Sequence, residues 1–402
     1  MKILVLNAGS SSQKSCLYQI ESDEFALPLE PLWTASIDWT KTAGKSILTV
    51  KAKGVKEEIA LASNNQALGI SEMLATLVQG NMQVLDTLSE IDVVGHRVVQ
   101  GGAEYSQATR ITPEVKATIK RLSPLAPEHN PVQLEGIEAI EQELGGVPQV
   151  AVFDTAFHSQ MPPEAAVYPI PYQWFARGIR RYGFHGTSHQ YCARRTAQLL
   201  GEPLESLKLI TCHLGNGCSL AAIEGGISID TTMGFTPLEG LMMGTRSGSI
   251  DPAILIYLME EHHFNAEQLN KMLNEASGLK GISGVSGDMR TILQEIAQGN
   301  ERAQLAFEMY IHRLKAYIGA MLATLGGLDA LVFAAGIGEN AAQVRERACE
   351  GFEFLGLKLD QEQNASHPVD QDIATPDSQV RVLVIHTEED WAIAQECWHQ
   401  LK

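Results

Sequence analysis

Small residues gathered around a few charged ones mark where this chain could do chemistry. Asn7-Ala8-Gly9-Ser10-Ser11-Ser12-Gln13-Lys14-Ser15 follows the apolar run Ile3-Leu4-Val5-Leu6. A turn of that composition lets backbone N–H groups approach a phosphate closely, while its hydroxyls and ammonium add donors and charge. Farther along, Leu209-Ile210-Thr211-Cys212-His213-Leu214 runs into Gly215-Asn216-Gly217-Cys218-Ser219 in the same way. Either turn alone reads as a tight hairpin. Together they point to an internal duplication with a phosphate site between the halves, and a polyphosphate nucleotide suits that site. A third cluster, Gly336-Ile337-Gly338-Glu339-Asn340, sits between the strand-like Asp329–Phe333 and a helical pattern from Ala341. It is not GxGxxG, so a dinucleotide fingerprint is unsupported. Gly44-Lys45-Ser46 has the tail of a P-loop, but Trp39 stands where the first glycine belongs.

Arg97 lies in His96-Arg97-Val98-Val99-Gln100-Gly101-Gly102, and Arg246 in Gly244-Thr245-Arg246-Ser247-Gly248. Guanidinium groups hold carboxylate or phosphoryl oxygens bidentately and stabilise charge on a transferring phosphoryl group. The small neighbours of Arg246 leave room for a ligand. Asp154 follows Val150–Phe153 and reads either as a catalytic carboxylate at the end of a strand or as a cap. His185 and His189, four apart, lack the third ligand of a zinc site, so donation to phosphate or carboxylate oxygen is the better reading. Ser286-Gly287-Asp288-Met289-Arg290 could hold a ribose or a base. The carboxylates of Thr387-Glu388-Glu389-Asp390 either begin a solvated helix or serve Mg2+, which binds through one or two carboxylates plus substrate phosphates.

Such groups need a frame to position them. Apolar, β-branched runs recur at Ile3–Leu6, Val93–Val99, Val150–Phe153, Leu209–Cys212, Leu331–Ala334 and Val380–Ile385. Amphipathic helical stretches, among them Gln66–Val78, Gln133–Leu144 and Arg302–Leu325, lie between them, which indicates an α/β architecture. The alternation in Phe25–Leu61 predicts extra antiparallel strands. A chain of 402 residues suits two domains. The expected division is 1–150 and 151–385, with 386–402 packing back on the first. A net charge of −18 argues against nucleic acid or an anionic membrane as partner. Six cysteines without a CxxC pair, no spanning apolar run and no leader-like opening suggest a reduced, cytoplasmic protein.

With these residues in hand, the chain resembles the acetate kinase family, within the acetate and sugar kinase, heat-shock chaperone and actin superfamily. The resemblance spans essentially the whole length, through NAGSSSQKS, HRVVQGG, FDTAFH, YGFHGTSH, HLGNGCS, TTMGFTPLEG, MGTRSGSIDP, SGDMR and FAAGIGEN in family order. It implies two duplicated actin-like (ribonuclease H-like) α/β domains with a nucleotide cleft between them. It also implies reversible, Mg2+-dependent transfer of the ATP γ-phosphoryl group to acetate, giving acetyl phosphate and ADP. By position, Asn7 and Glu389 would hold Mg2+, or Mn2+ in its place. Lys14 would sit near the nucleotide phosphates, lined by His213, Leu214, Gly215, Asn216 and Gly217. Asp288, Met289 and Arg290, with Gly336, Ile337, Gly338, Glu339 and Asn340, would contact the adenosine end.

In the same carry-over Arg97 would bind the substrate carboxylate and Asp154 would be the catalytic acidic residue. His185 and Arg246 would stabilise the phosphoryl group in transfer, with Val99, Phe184 and Pro237 around the alkyl end. A homodimer formed through the second domain is implied as well. Two departures stand out: Gln100 replaces the second histidine of HRVVHGG, and Glu128 replaces the leucine of APLHNP. A carboxylate aimed into an alkyl pocket would repel the substrate, so Glu128 is expected to turn outward. Propionate or butyrate kinases differ only in pocket size and stay open at this point. So do a kinase for another small metabolite and a nucleotide-gated chaperone or filament protein, which would need a peptide-binding domain or an assembly surface.

Overall fold

In the computed structural model, residues 1–9, 12–22, 28–42, 45–61 and 63–402 are described. Ser10 and Ser11 of the first glycine/serine turn, Gly44 of the P-loop-like tail, and residues 25–27 and 43 of the alternating stretch lie outside them. The chain divides into two units, Met1–Ala156 with Glu388–Lys402, and Phe157–Thr387.

The first unit holds β1 (Lys2–Ala8), β2 (Ser12–Gln19), β3 (Trp33–Thr42), β4 (Lys45–Ala52), β5 (Val55–Ala60), β6 (Val93–Val98), β7 (Thr109–Arg110) and β8 (Gln149–Phe153). They form one sheet in the order β5-β4-β3-β2-β1-β6-β8-β7. β1 is central because Ile3, Leu4, Val5 and Leu6 are apolar on both faces, as a strand covered on both sides must be. On one face Leu4, Leu17, Trp33, Ile37, Leu48 and Val50 pack with Ile70, Met73, Leu74 and Leu77 of the helix Gln66–Val78, and with Ile140 of the helix Asn130–Leu144. Each such side chain, fully buried, stabilises the fold by about 1.5–3 kcal/mol. The helix Glu389–Leu401 packs against β1 and β6, where Trp391 lies beside Tyr18 with ring centroids 5.4 Å apart. β4 and β5 are the antiparallel additions expected from the alternating stretch. β8 is the parallel neighbour of β6, so a boundary drawn before Ala151 would cut a strand; the division falls after Ala156.

The second unit holds β9 (Lys208–Leu214), β10 (Cys218–Glu224), β11 (Ile227–Thr231), β12 (Ala330–Ala334), β13 (Gln371–Asp372) and β14 (Arg381–Ile385), in the order β11-β10-β9-β12-β14-β13. The long helix Glu301–Leu325 packs on β10 and β9, and the helix Gly186–Leu200 on β9, β12 and β14. The duplication is explicit in the pairing. β3-β2-β1-β6-β8 and β11-β10-β9-β12-β14 share one order, with the first two ladders antiparallel and the last two parallel in each. No helix among the described residues is long and apolar enough to cross a membrane.

Candidate active site

In the first unit the charged residues gather at the carboxyl ends of β1, β6 and β8. Arg97, next to last in β6, donates from Nε to Asp154 Oδ1 at 3.0 Å and from Nη2 to Oδ2 at 2.7 Å, a bidentate pair. Its Nη1 donates to Asn7 Oδ1 at 3.3 Å and lies 3.8 Å from Glu389 Oε2. Burial works against the Arg97 charge, but Asp154, Glu389 and Asp390 outweigh it and hold the guanidinium firmly protonated. Asn7 Nδ2 donates to Asp390 Oδ1 at 2.8 Å, and Cys16 Sγ lies 3.4 Å from Asp390 Oδ2. Burial pushes the Asp390 carboxyl up, against the hydrogen bond from Asn7. Asp390 was legible only as one carboxylate in an acidic run; in the fold it decides which way the Asn7 amide faces. Lys14 stands opposite Asn7 across the β1–β2 ladder and is exposed.

The loop after β6 is held by two buried amides that sequence reading missed. Asn130 donates to the Gln100 carbonyl and accepts from its N–H, both at 3.0 Å. Gln133 accepts from the Val99 N–H at 2.9 Å and donates to the Ala8 carbonyl at 3.1 Å, so one side chain ties the loop to the end of β1. Val99 is buried, and Glu128 is exposed, as expected of a carboxylate turned outward. The Gln100 amide accepts from the Gly102 N–H at 2.8 Å, while its buried Nε2 has no partner among the described residues.

In the second unit imidazoles replace carboxylates. His185 adopts a left-handed backbone, φ 56°, just before the helix Gly186–Leu200, a strained conformation of the kind that collects at functional sites. Its Nδ1 lies 2.9 Å from Ser219 Oγ, and its ring stacks on His213 with centroids 4.1 Å apart. His189 converges on the same Ser219 Oγ at 2.7 Å. The two histidines spaced four apart therefore meet a hydroxyl. Gly217 explains the packing in front of them: a Cβ there would stand 3.3 Å from Arg246 Nη1 and 3.5 Å from His185 Nε2. Arg246 Nη1 also donates to the Pro237 carbonyl at 3.1 Å. The Pro237 loop is held by Arg181, whose Nη1 donates to the carbonyls of Thr231, Thr232 and Met233, and whose Nη2 donates to Glu239 at 2.8 Å. Phe184 is buried, and its carbonyl lies 3.0 Å from His158 Nε2.

Three of the sequence motifs share one cavity of about 610 Å³. It is lined by Gly215 and Asn216, by Gly287 through Arg290 with Leu293, and by Gly336, Ile337, Asn340 and Ala341. Leu293 is a missed member, four residues after Met289 on the helix Met289–Ala297. Gly287 is required where it stands, because a Cβ would sit 2.7 Å from the Gly244 carbonyl oxygen. Arg290 forks onto Asp288, with Nη2 donating to Oδ2 at 2.6 Å. His213, Leu214, Gly217, Gly338 and Glu339 do not line the cavity. Glu339 lies 2.6 Å from His386 Nδ1 and accepts from the Thr387 N–H at 3.3 Å.

The glycines after β12 do not form an open loop before a helix. Ala335–Asn340 is itself helical, entered through Ala335 at φ 63°. Its end is closed by Arg345, almost wholly buried, which donates to the carbonyls of Gly338 and Glu339 at 2.8 Å and to Asn364 Oδ1 at 2.7 Å. Burial lowers the Arg345 pKa to about 10. Carbonyls at a helix end attract a cation, and here the cation is internal.

Among the described residues no group of three or more His, Cys, Asp or Glu could hold a metal ion by itself. Asn7 and Glu389 offer oxygen donors alone, a set that fits a hard divalent cation completed by substrate phosphates.

Residues 2–395 match the sequence model of the Acetokinase family. The chain is 71% identical to an acetate kinase of Rippkaea orientalis over 402 residues, covering 100% of both. It is 61% identical to an acetate kinase of Nostoc punctiforme over 404 residues, again covering 100% of both. Among solved structures it is similar to Porphyromonas gingivalis acetate kinase, with a TM-score of 0.91, 41% identity and 100% of each chain covered. A propionate kinase from Francisella tularensis gives a TM-score of 0.89 at 39% identity, with 98% of each chain covered.

Proposed function

The chain belongs to the acetokinase family, and on that premise we propose that it transfers the γ-phosphoryl group of ATP to acetate, reversibly and by direct in-line displacement. The observation that carries this reading is the one cavity that gathers Gly215 and Asn216, Gly287–Arg290, and Gly336, Ile337 and Asn340, three glycine-bearing segments far apart in sequence. ATP places its phosphates toward Gly215–Gly217 and its adenosine end toward Met289, Leu293 and Ile337.

Phosphoryl transfer to a carboxylate needs positioning and charge neutralisation more than covalent chemistry. Acetate arrives without a proton to remove, so no general base is required. Asp154 occupies the Nε–Nη2 edge of Arg97. The guanidinium then has one N–H left on each of Nη1 and Nη2 for the acetate carboxylate, in a plane that Asp154 sets. Val99, Phe184 and Pro237 receive the methyl group. His185 and Arg246 meet the phosphoryl oxygens as negative charge spreads over them, a contribution worth roughly 3–4 kcal/mol per donor in comparable sites. Asn7 and Glu389 would hold Mg2+, which would supply neutralising charge for the nucleotide phosphates. Lys14 adds a second cation at the same strand ends.

Two further parts of the reading have their own support. The helix Ala253–His262 has no buried residue and leaves Ile254, Ile256, Tyr257 and Met259 between 45% and 57% exposed, which favours a homodimer through the second unit. All six cysteines are buried and free of disulfides, which favours the reducing cytoplasm.

The test is a hydroxylamine trap of acyl phosphate, with Mg-ATP and acetate, propionate or butyrate. Acetate should give the highest kcat/KM. Preference for a longer acid would keep the chemistry and move the substrate, while absence of product from all three, with ATP still bound, would overturn the reading.

A further inference from the structure

We infer that Thr211, His189 and Ser219 form a buried hydrogen-bond relay that fixes His185 as a neutral imidazole with its hydrogen on Nε2, ready to donate to phosphoryl oxygen. The inference rests on the proposal that His185 meets the transferring group. Thr211 Oγ1 lies 2.7 Å from His189 Nδ1, His189 Nε2 lies 2.7 Å from Ser219 Oγ, and Ser219 Oγ lies 2.9 Å from His185 Nδ1. Thr211, His189 and Ser219 are each 1% exposed or less.

The hydrogen count couples these bonds. Ser219 has one hydroxyl hydrogen for two ring nitrogens. Complete burial and the neighbouring His158 and His213 keep His189 neutral, so it carries a single N–H. Were Ser219 to accept from both rings, its buried hydroxyl hydrogen would be stranded, so the chain runs as a whole in one direction or the other. In the first, Thr211 donates to His189, His189 to Ser219 and Ser219 to His185 Nδ1, which leaves the His185 hydrogen on Nε2. The reverse leaves either a lone pair on Nε2 or a charged ring.

What stands in front of His185 selects the first direction. Its Nε2 lies 3.5 Å from the place of a Gly217 Cβ, and Arg246 Nη1 lies 3.3 Å from the same place. Phosphoryl oxygens accept and never donate, so an Nε2 lone pair would repel them. A charged ring would have to form beside the permanent charge of Arg246. His213 repeats the plan, with Nδ1 2.8 Å from Ser188 Oγ and Nε2 3.6 Å from the place of a Gly215 Cβ. Two stacked imidazoles thus have a serine behind and the glycine turn in front. Thr211, His189 and Ser219 are positioning residues.

The experiment uses the full chain labelled with 15N-histidine, and long-range 15N–1H spectra read tautomer and charge directly. The His185 signals are assigned from their loss in His185→Gln. The wild type should show neutral His185 protonated on Nε2. Thr211→Val keeps the shape of the far end of the relay and removes its hydroxyl. It should mix the His185 tautomers and lower kcat about tenfold, with KM for ATP and acetate nearly unchanged. Thr211→Ser should restore both, and Ser219→Ala should lower kcat by roughly 100-fold. His185 protonated on Nδ1, doubly protonated, or unmoved by Thr211→Val would overturn the relay. If the tautomer mixes in the variants but kcat stays at the wild-type value, the relay stands and the role of His185 at the phosphoryl group falls.

Discussion

The two units are the same five-strand frame carrying opposite chemistry. β1 and β9 are each seven residues long and share one burial pattern from first residue to last. Their turns already differ: Gly9 N–H donates to the Ser12 carbonyl at 2.8 Å, whereas Gly215 N–H donates to the Gly217 carbonyl at 3.0 Å, one residue tighter. Register makes the remaining comparison exact enough to pair residues. Asn7 stands where His213 does, Arg97 where Ala334 does, and Asp154 where Thr387 does. One unit carries an arginine and carboxylates at its strand ends. The other has a small residue there, then glycines in a short helix, and places imidazoles beside its turn. The frame decides where ligand-facing residues stand, and the side chains decide what those places bind.

That contrast can be broken by mutation, and the largest effect should come from the first unit. Asp154→Asn removes the charge that holds the Arg97 plane, and kcat/KM for acetate should fall roughly 10²–10³-fold. ATP binding measured by calorimetry should stay within about threefold, because the cavity proposed for it is built from other residues. A parallel loss of ATP affinity would contradict the separation of roles. The reciprocal change is Gly287→Ala, whose Cβ would collide with Gly244 backbone. It should weaken ATP binding by about tenfold while leaving KM for acetate nearly unchanged.

A smaller effect tests whether the units share one acid limit. Each holds a buried neutral histidine: His96 in β6, 2.7 Å from Gln149 Oε1, and His158 between Ser228 and the Phe184 carbonyl. Burial lowers both pKa values to about 4. Between that value and the ordinary histidine range the unfolded chain binds more protons, so stability is full above the unfolded pKa. It is lost as pH falls from about 6.5 toward 4, by about 3 kcal/mol per histidine. Replacing either one by Gln should flatten the pH dependence of the urea midpoint in that window. If only one replacement does so, acid sensitivity belongs to one unit.

The smallest effect is expected outside the frame. Glu128→Leu restores the residue the family pattern carries, but this carboxylate is exposed. The ratio of kcat/KM for acetate to that for propionate should move by less than about twofold.

Most of this frame was legible because burial on both faces writes continuous apolar runs into a sequence. Ile3–Leu6 and Leu209–Cys212 were readable as strands for that reason, and the helix Gln66–Val78 through its amphipathic spacing. The glycine-bearing residues that line the cavity were legible through their composition. What stayed hidden depends on which side chains face one another after folding. Ser219 is an ordinary serine in a strand until His185 and His189 arrive from a helix start elsewhere in the chain. Arg345 stands in a polar stretch of sequence, and its burial under the carbonyls of Gly338 and Glu339 has no local signature. The helical form of Ala335–Asn340 was likewise unreadable, because two glycines in six residues argue against a helix until Arg345 closes its end.

The helix Glu389–Leu401 belongs to the first unit although the whole of the second unit precedes it in the chain. On the ribosome, Phe157–Thr387 emerges as one uninterrupted segment that contains every strand of its sheet. Residues 1–156 do not have that advantage. Until Glu389–Leu401 leaves the exit tunnel, one face of β1 and β6 lacks Trp391, Ile393 and Cys397, and Arg97 lacks Glu389. Translation that stops before Glu389 therefore yields a chain in which Phe157–Thr387 has every strand of its sheet while the sheet of the first unit lacks the helix that packs on β1 and β6.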